Sequence, residues 1–118
     1  MLNEMCVLTV KVANIKESIQ FYTEVLGFEV NKHYGDCIVS LNHKEIPIVL
    51  EEAPDVELQP KQNVLPGFVS SNLDQDIEVL RSKGVKILFD EPRPCPPGRY
   101  TVIEDPTGNQ IELLEFSN

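Results

Sequence analysis

Apolar residues along this chain follow two alternating periods, and the same alternation occurs twice. Residues 5–12 carry a strand-like, period-two pattern, as expected for a segment with one face on a core. Ile15, Ile19, Tyr22 and Leu26 then fall on one helical stripe, and Gly27 supplies the left-handed residue that ends a helix. Strand patterns return at 28–34, 36–41 and 46–51. The second passage has a strand at 64–70, a helix carrying Leu73, Ile77 and Leu80, and a stop at Gly84. Strands at 85–89, 99–104 and 110–115 complete it.

The helix starts have a physical cause. Asn14 with Glu17, and Asn72 with Gln75, have the spacing of a capping box. VANIKESIQFY (12–22) and SSNLDQDIEVL (70–80) superpose at a constant offset of 58 residues. Residues 42–45 and 106–109 read as hairpin turns. The fold class is therefore α+β, one domain over 1–118 built as βαβββ twice. Module 1 covers 1–52, a linker 53–63, and module 2 64–118. In each module the helix covers one sheet face and leaves the other free. Two such modules are expected to curl their free faces into a cupped mixed sheet, a natural ligand site.

Composition narrows the partners. Ten basic against nineteen acidic residues give a net charge of −9, which argues against nucleic acid, whose phosphates need a basic face. The acidity suits a neutral or cationic partner, or serves solubility alone. No apolar run spans a bilayer, and the start MLNEMCVLTV lacks a signal peptide's basic opening and cleavage site. A cytoplasmic location without membrane contact is expected. Cys6, Cys37 and Cys95 have no metal-type spacing and read as a reduced set. Cys6 and Cys37 are expected to be buried in apolar strands, and Cys95 exposed in the loop RPCPPGR. No nucleophile–base pair can be argued for the serines, and no glycine-rich phosphate loop occurs.

SIQFYTEVLGFEV (18–30), together with DPTGNQIELLE (105–115), resembles the glyoxalase, bleomycin-resistance and extradiol-dioxygenase superfamily, also called the vicinal oxygen chelate superfamily. The resemblance covers essentially the whole chain and implies the paired βαβββ fold, commonly as a homodimer. In metal-using members it implies four inward strand positions holding His, Glu or Gln around one divalent ion. That ion acts as a Lewis acid on two neighbouring substrate oxygens. Carried over by position, the four fall on Val7, Val49, Leu65 and Glu112. Three are aliphatic, so no metal ligand set and no cofactor is expected.

Period-two alternation places Val7, Thr9 and Lys11 on the cup face, with Val49 and Glu51, Leu65, Gly67 and Val69, and Gln110, Glu112 and Leu114. The candidate ligand-binding residues are Val7, Thr9, Lys11, Val49, Leu65 and Glu112, with Tyr34, Tyr100 and Arg99 adding aromatic or guanidinium contacts. Lys11 and Glu51 also fit plain strand ends in water. Glu112 has two readings. Desolvated among aliphatic neighbours, it becomes a general base or a seat for a cation; on a wet sheet it only hydrogen-bonds a neighbour.

The function read from these residues is metal-free binding of a small organic molecule, cationic in part, in an apolar cup, as in the bleomycin-resistance branch. The alternative is a glyoxalase-type lyase or isomerase using Glu112 as base or a metal held in another way. A third reading fills the cup with side chains and leaves a dimerisation or regulatory module.

Overall fold

Asn14 and Asn72 start the two helices by taking up orphan backbone donors. In the computed structural model, which describes residues 2–53, 62 and 64–117, Asn14 Oδ1 accepts from the Glu17 N–H at 2.9 Å. Asn72 Oδ1 accepts from the Gln75 N–H at 3.1 Å. Helix α1 spans Ile15–Gln20 and α2 spans Leu73–Ser82. Gly27 at φ +87° and Gly84 at φ +75° follow their ends, where a Cβ would be penalised.

The first helix does not stay α-helical to its end. A π-helical turn, Phe21–Val25, continues it, with the Leu26 N–H reaching back to the Phe21 carbonyl at 3.2 Å. The wider turn sets two consecutive aromatics against the core, Phe21 and Tyr22, both buried. The expected stripe is shifted accordingly. Ser18 is buried with its Oγ unpartnered, while Ile19 and Leu26 are only half-buried.

The chain forms two compact units, Met1–Pro60 and Lys61–Asn118. The first holds strands β1 (Leu8–Val12), β2 (Val30–His33), β3 (Ile38–Leu41) and β4 (Ile48–Glu52), in sheet order β1-β4-β3-β2. The second holds β5 (Gly67–Val69), β6 (Lys86–Ile87), β7 (Arg93–Cys95), β8 (Gly98–Glu104) and β9 (Gln110–Phe116), in order β5-β9-β8-β6 with β7 also on β8. In each unit the strand before the helix pairs in parallel with the last strand. Thr9 opposes Val49, and Gly67 opposes Glu112, so the repeat extends to strand register. The core lies between helix and sheet. Val12, Tyr22, Val39, Leu41 and Leu50 are its most buried apolar residues in the first unit, as are Leu73, Ile103 and Ile111 in the second.

Several expectations change. RPCPPGR is not an open loop: Arg93, Pro94 and Cys95 pair with Tyr100, Arg99 and Gly98. Pro94 fits because an edge strand leaves room for a residue without an N–H. Cys6 and Cys37 are exposed, and Cys95 is half-buried. β1 and β3 begin only at Leu8 and Ile38, so both cysteines precede the ladders meant to bury them. Of the linker at 53–63, all but Ala53 and Gln62 lies outside the described residues. Gln62 acts as a substitute strand, its Oε1 accepting the Gln110 N–H at 2.6 Å and its Nε2 donating to the Gln110 carbonyl at 2.9 Å.

The DPTGN stretch is a self-satisfied turn. Buried Asp105 accepts from the backbone N–H groups of Thr107 and Asn109 at 2.9 and 2.8 Å, and Gly108 sits at φ +99°. The turn leads directly into β9, the strand that carries Glu112. Among the described residues no helix is long and apolar enough to cross a membrane.

Candidate functional site

Side-chain parity divides each sheet into a face under its helix and a far face. In β9, Ile111 and Leu113 are buried while Gln110, Glu112 and Leu114 stay partly exposed; in β1, Thr9 and Lys11 are exposed while Val12 is buried. The far face of the first unit brings Thr9 beside Val49 and Lys11 beside Glu51. Lys11 Nζ lies 2.9 Å from Glu51 Oε2, an ion pair largely open to solvent and so of small energetic weight. Val7 precedes β1 with 41% of its surface exposed, and Tyr34 is exposed past the end of β2. The Lys32 ammonium stands 5.0 Å from the Tyr34 ring centroid.

Glu112 has a more particular setting. Its cross-strand neighbours are Gly67 and Val102, and Leu65, 43% exposed, precedes Gly67 on the chain. No side chain among the described residues donates to its carboxylate. A Cβ built on Gly67 would stand 3.2 Å from Glu112 Oε1, so the glycine leaves the room in which the carboxylate lies. Gly67→Ala is therefore expected to displace that carboxylate at a stability cost of ~1 kcal/mol or less, because the crowded atom ends a flexible side chain. Calorimetry with a cationic probe such as benzylamine should register a several-fold loss of affinity, with the melting temperature lowered by no more than about 5 °C. Unchanged affinity would show that the carboxylate's position does not matter.

Arg99 stands on the other face. It shares parity with buried Thr101 and Ile103, and its guanidinium donates to Glu115 Oε1 at 2.6 and 3.0 Å and to Asp74 Oδ2 at 3.2 Å. Glu115 Oε2 in turn accepts the Leu73 N–H at 2.9 Å, at the start of α2. Glu52 does the same for Ile15 at 2.9 Å in the first unit. Each module thus ends in a glutamate that ties its own helix to its own last strand.

The Leu73 N–H and then Arg99 hold the Glu115 carboxyl below the usual glutamate value. A depressed carboxylate stabilises the fold above its unfolded pKa of about 4.3, and that contribution fades as pH falls through the lower folded value. Between pH 5 and pH 3 the urea midpoint of the wild type should drop further than that of Glu115→Gln. Parallel curves would remove Glu115 from the acid response.

Two residues of the second unit's far face are absent from the sequence reading. Arg93 pairs with Tyr100 and lays its guanidinium 3.5 Å from the Phe89 ring centroid. Phe89 meets Tyr100 edge-on, centroids 6.0 Å apart at 85°. The signal available was parity, since Arg93 and Tyr100 face each other only once RPCPPGRY is read as a hairpin.

At the four positions that the resemblance implies for a metal, the side chains of Val7, Val49 and Leu65 offer no lone pairs and only Glu112 carries a carboxylate, whereas such an ion needs several ligands. Among the described residues no group of three or more His, Cys, Asp or Glu is placed to hold a metal. Cys37 is no activated nucleophile, its thiol pushed up by desolvation and by its hydrogen bond to Glu52.

Residues 6–113 match the model of the Glyoxalase/Bleomycin resistance protein/Dioxygenase superfamily. The chain belongs to that superfamily. Among solved structures it is similar to TnmS3, an antibiotic binding protein from a Streptomyces species, at 22% identity and TM-score 0.79 over 98% of both chains. An integron cassette protein from the mobile metagenome of V. Pseudocholerae is 28% identical, TM-score 0.70, over 100% of this chain and 98% of that one. A glyoxalase/bleomycin resistance protein/dioxygenase from Nocardioides is 18% identical, TM-score 0.79, over 98% of this chain and 85% of that one. No curated protein matches the sequence.

Proposed function

We propose that this superfamily member binds a small organic molecule bearing a cationic group, without a metal ion, on the far face of its second unit. One observation carries the reading: Glu112 presents a carboxylate with no donor among the described residues, between Gly67 and Val102 on a face whose next row is Val69, Leu114 and Tyr100. A lone acid over apolar floor suits an amine whose body is hydrophobic. TnmS3, an antibiotic binding protein, shares the fold, which supports a binding reading. A homodimer belongs to the same reading, supported by apolar side chains left exposed at Val64, Leu65 and Phe116.

The test is calorimetry with benzylamine and benzyl alcohol, in EDTA and again after incubation with manganese, nickel or zinc. Benzylamine should bind the wild type equally with and without metal, and Glu112→Gln should weaken it by roughly tenfold, the scale of a charge-assisted hydrogen bond. Binding that needs a metal, or near one ion per chain retained after desalting and lost in Glu112→Ala, would overturn the reading in favour of an enzyme with an unforeseen ligand set.

A further inference from the structure

Three arginines serve a chain with nineteen acidic residues, and two of them are held by carboxylates. Arg81 pairs with Glu78 and Asp90; Arg99 pairs with Glu115 and Asp74. Arg93 has no carboxylate partner among the described residues and is exposed. It lies on the Phe89 ring instead. A cation–π contact through Cζ engages none of the guanidinium's N–H donors in a carboxylate pair, and their forked geometry suits the two oxygens of a carboxylate or phosphate.

Its place in the sheet relates it to Glu112. Arg93 opposes Tyr100, and Tyr100 opposes Leu114 on the neighbouring strand. Glu112 lies on that same strand, one two-residue step from Leu114. Two strand spacings and one such step separate the two Cα atoms by about 12 Å. Between them lie the Tyr100 ring and the Leu114 side chain, so a cation and an anion stand at opposite ends of one apolar floor.

Resting on the binding reading above, we infer that Arg93 is a second charged subsite, and that the ligand class is a flat zwitterion. Its amine sits at Glu112, its ring lies over Tyr100 and Leu114, and its carboxylate or phosphate is held by the Arg93 edge. A ligand carrying only an anion meets the field of a chain at −9, which Arg93 alone does not reverse. A zwitterion avoids that repulsion and satisfies both ends.

Calorimetry with four probes separates the claims: 4-(aminomethyl)benzoate, benzylamine, benzoate and benzyl alcohol. The zwitterion should bind wild type most tightly. Arg93→Gln should weaken it by about tenfold or more and leave benzylamine within about twofold, whereas Glu112→Gln should weaken both amines. Arg93→Lys should recover part of the loss, since it keeps the charge but not the forked geometry. Circular dichroism melts show that each variant is folded.

If Arg93→Gln leaves the zwitterion's affinity unchanged, or weakens benzylamine equally, the subsite is overturned while amine binding at Glu112 stands. Amine binding indifferent to both variants removes both charge assignments. No binding of any probe at 10 mM, a weak-affinity ceiling worth only about 3 kcal/mol, overturns this inference and the binding reading together.

Discussion

Ile103→Ala is expected to lower the stability of the second unit by about 2–5 kcal/mol. Ile103 is fully buried and lies within β8, opposed by Ile87 on one side and Ile111 on the other. Its parity directs it to the face under α2, whose Leu73, Ile77 and Leu80 are buried as well. Truncation loses the transfer free energy of the removed methylenes and leaves a cavity that three flanking elements cannot readily close. Against a total stability of roughly 5–15 kcal/mol the loss is a large fraction. Urea unfolding checks it, with Ile103→Val as the graded control at about 0.5–1.5 kcal/mol. A loss below 1 kcal/mol for the alanine would mean that the core is not packed as described.

Gly98→Ala is expected to be the most disruptive single-methyl addition, at about 2–3 kcal/mol, the upper part of the overpacking range. Gly98 closes the β7–β8 hairpin opposite Cys95 and faces Phe116 across the ladder. A Cβ there falls on the Glu115 carbonyl oxygen and 2.9 Å from the Ser117 nitrogen. These are backbone atoms, so no side chain can swing away and the two strands must part. Amide exchange at 114–117 should accelerate in the variant. Wild-type protection there, with an unchanged melting temperature, would contradict the close approach.

Much of the fold was legible because its signals are local. Asn14, Asn72, Gly27 and Gly84 each act within one turn of chain, and their spacing announces the helices before any tertiary contact exists. Strand faces were legible where the period ran unbroken, as from Ile111 to Leu113. Reading failed where a residue's role depends on where a ladder begins. Cys37 is one position short of β3, and no propensity marks that boundary. Arg99 reads from sequence as a guanidinium contact for a ligand, although parity with Thr101 and Ile103 places it under the helix. The π-helical turn was invisible because Phe21 and Tyr22 satisfy either periodicity. Of the candidate site, Glu112 was legible from the position of one carboxylate in an apolar strand. Arg93 was not, because its relation to Tyr100 and Phe89 exists only in three dimensions, and two prolines disguised its strand.

The tie between Glu115 and the start of α2 divides the labour along β9. Odd-numbered residues Ile111, Leu113 and Glu115 hold the core and the helix, and even-numbered residues Gln110, Glu112 and Leu114 face the other way. On the binding reading proposed above, recognition and architecture fall on interleaved, separable letters of one strand. Specificity can drift through the even set while the odd set keeps the molecule folded. A library randomised at 112 and 114 should stay folded in most of its members, and one randomised at 113 and 115 should not. On that reading, a change of ligand would leave untouched the residues that keep the molecule folded.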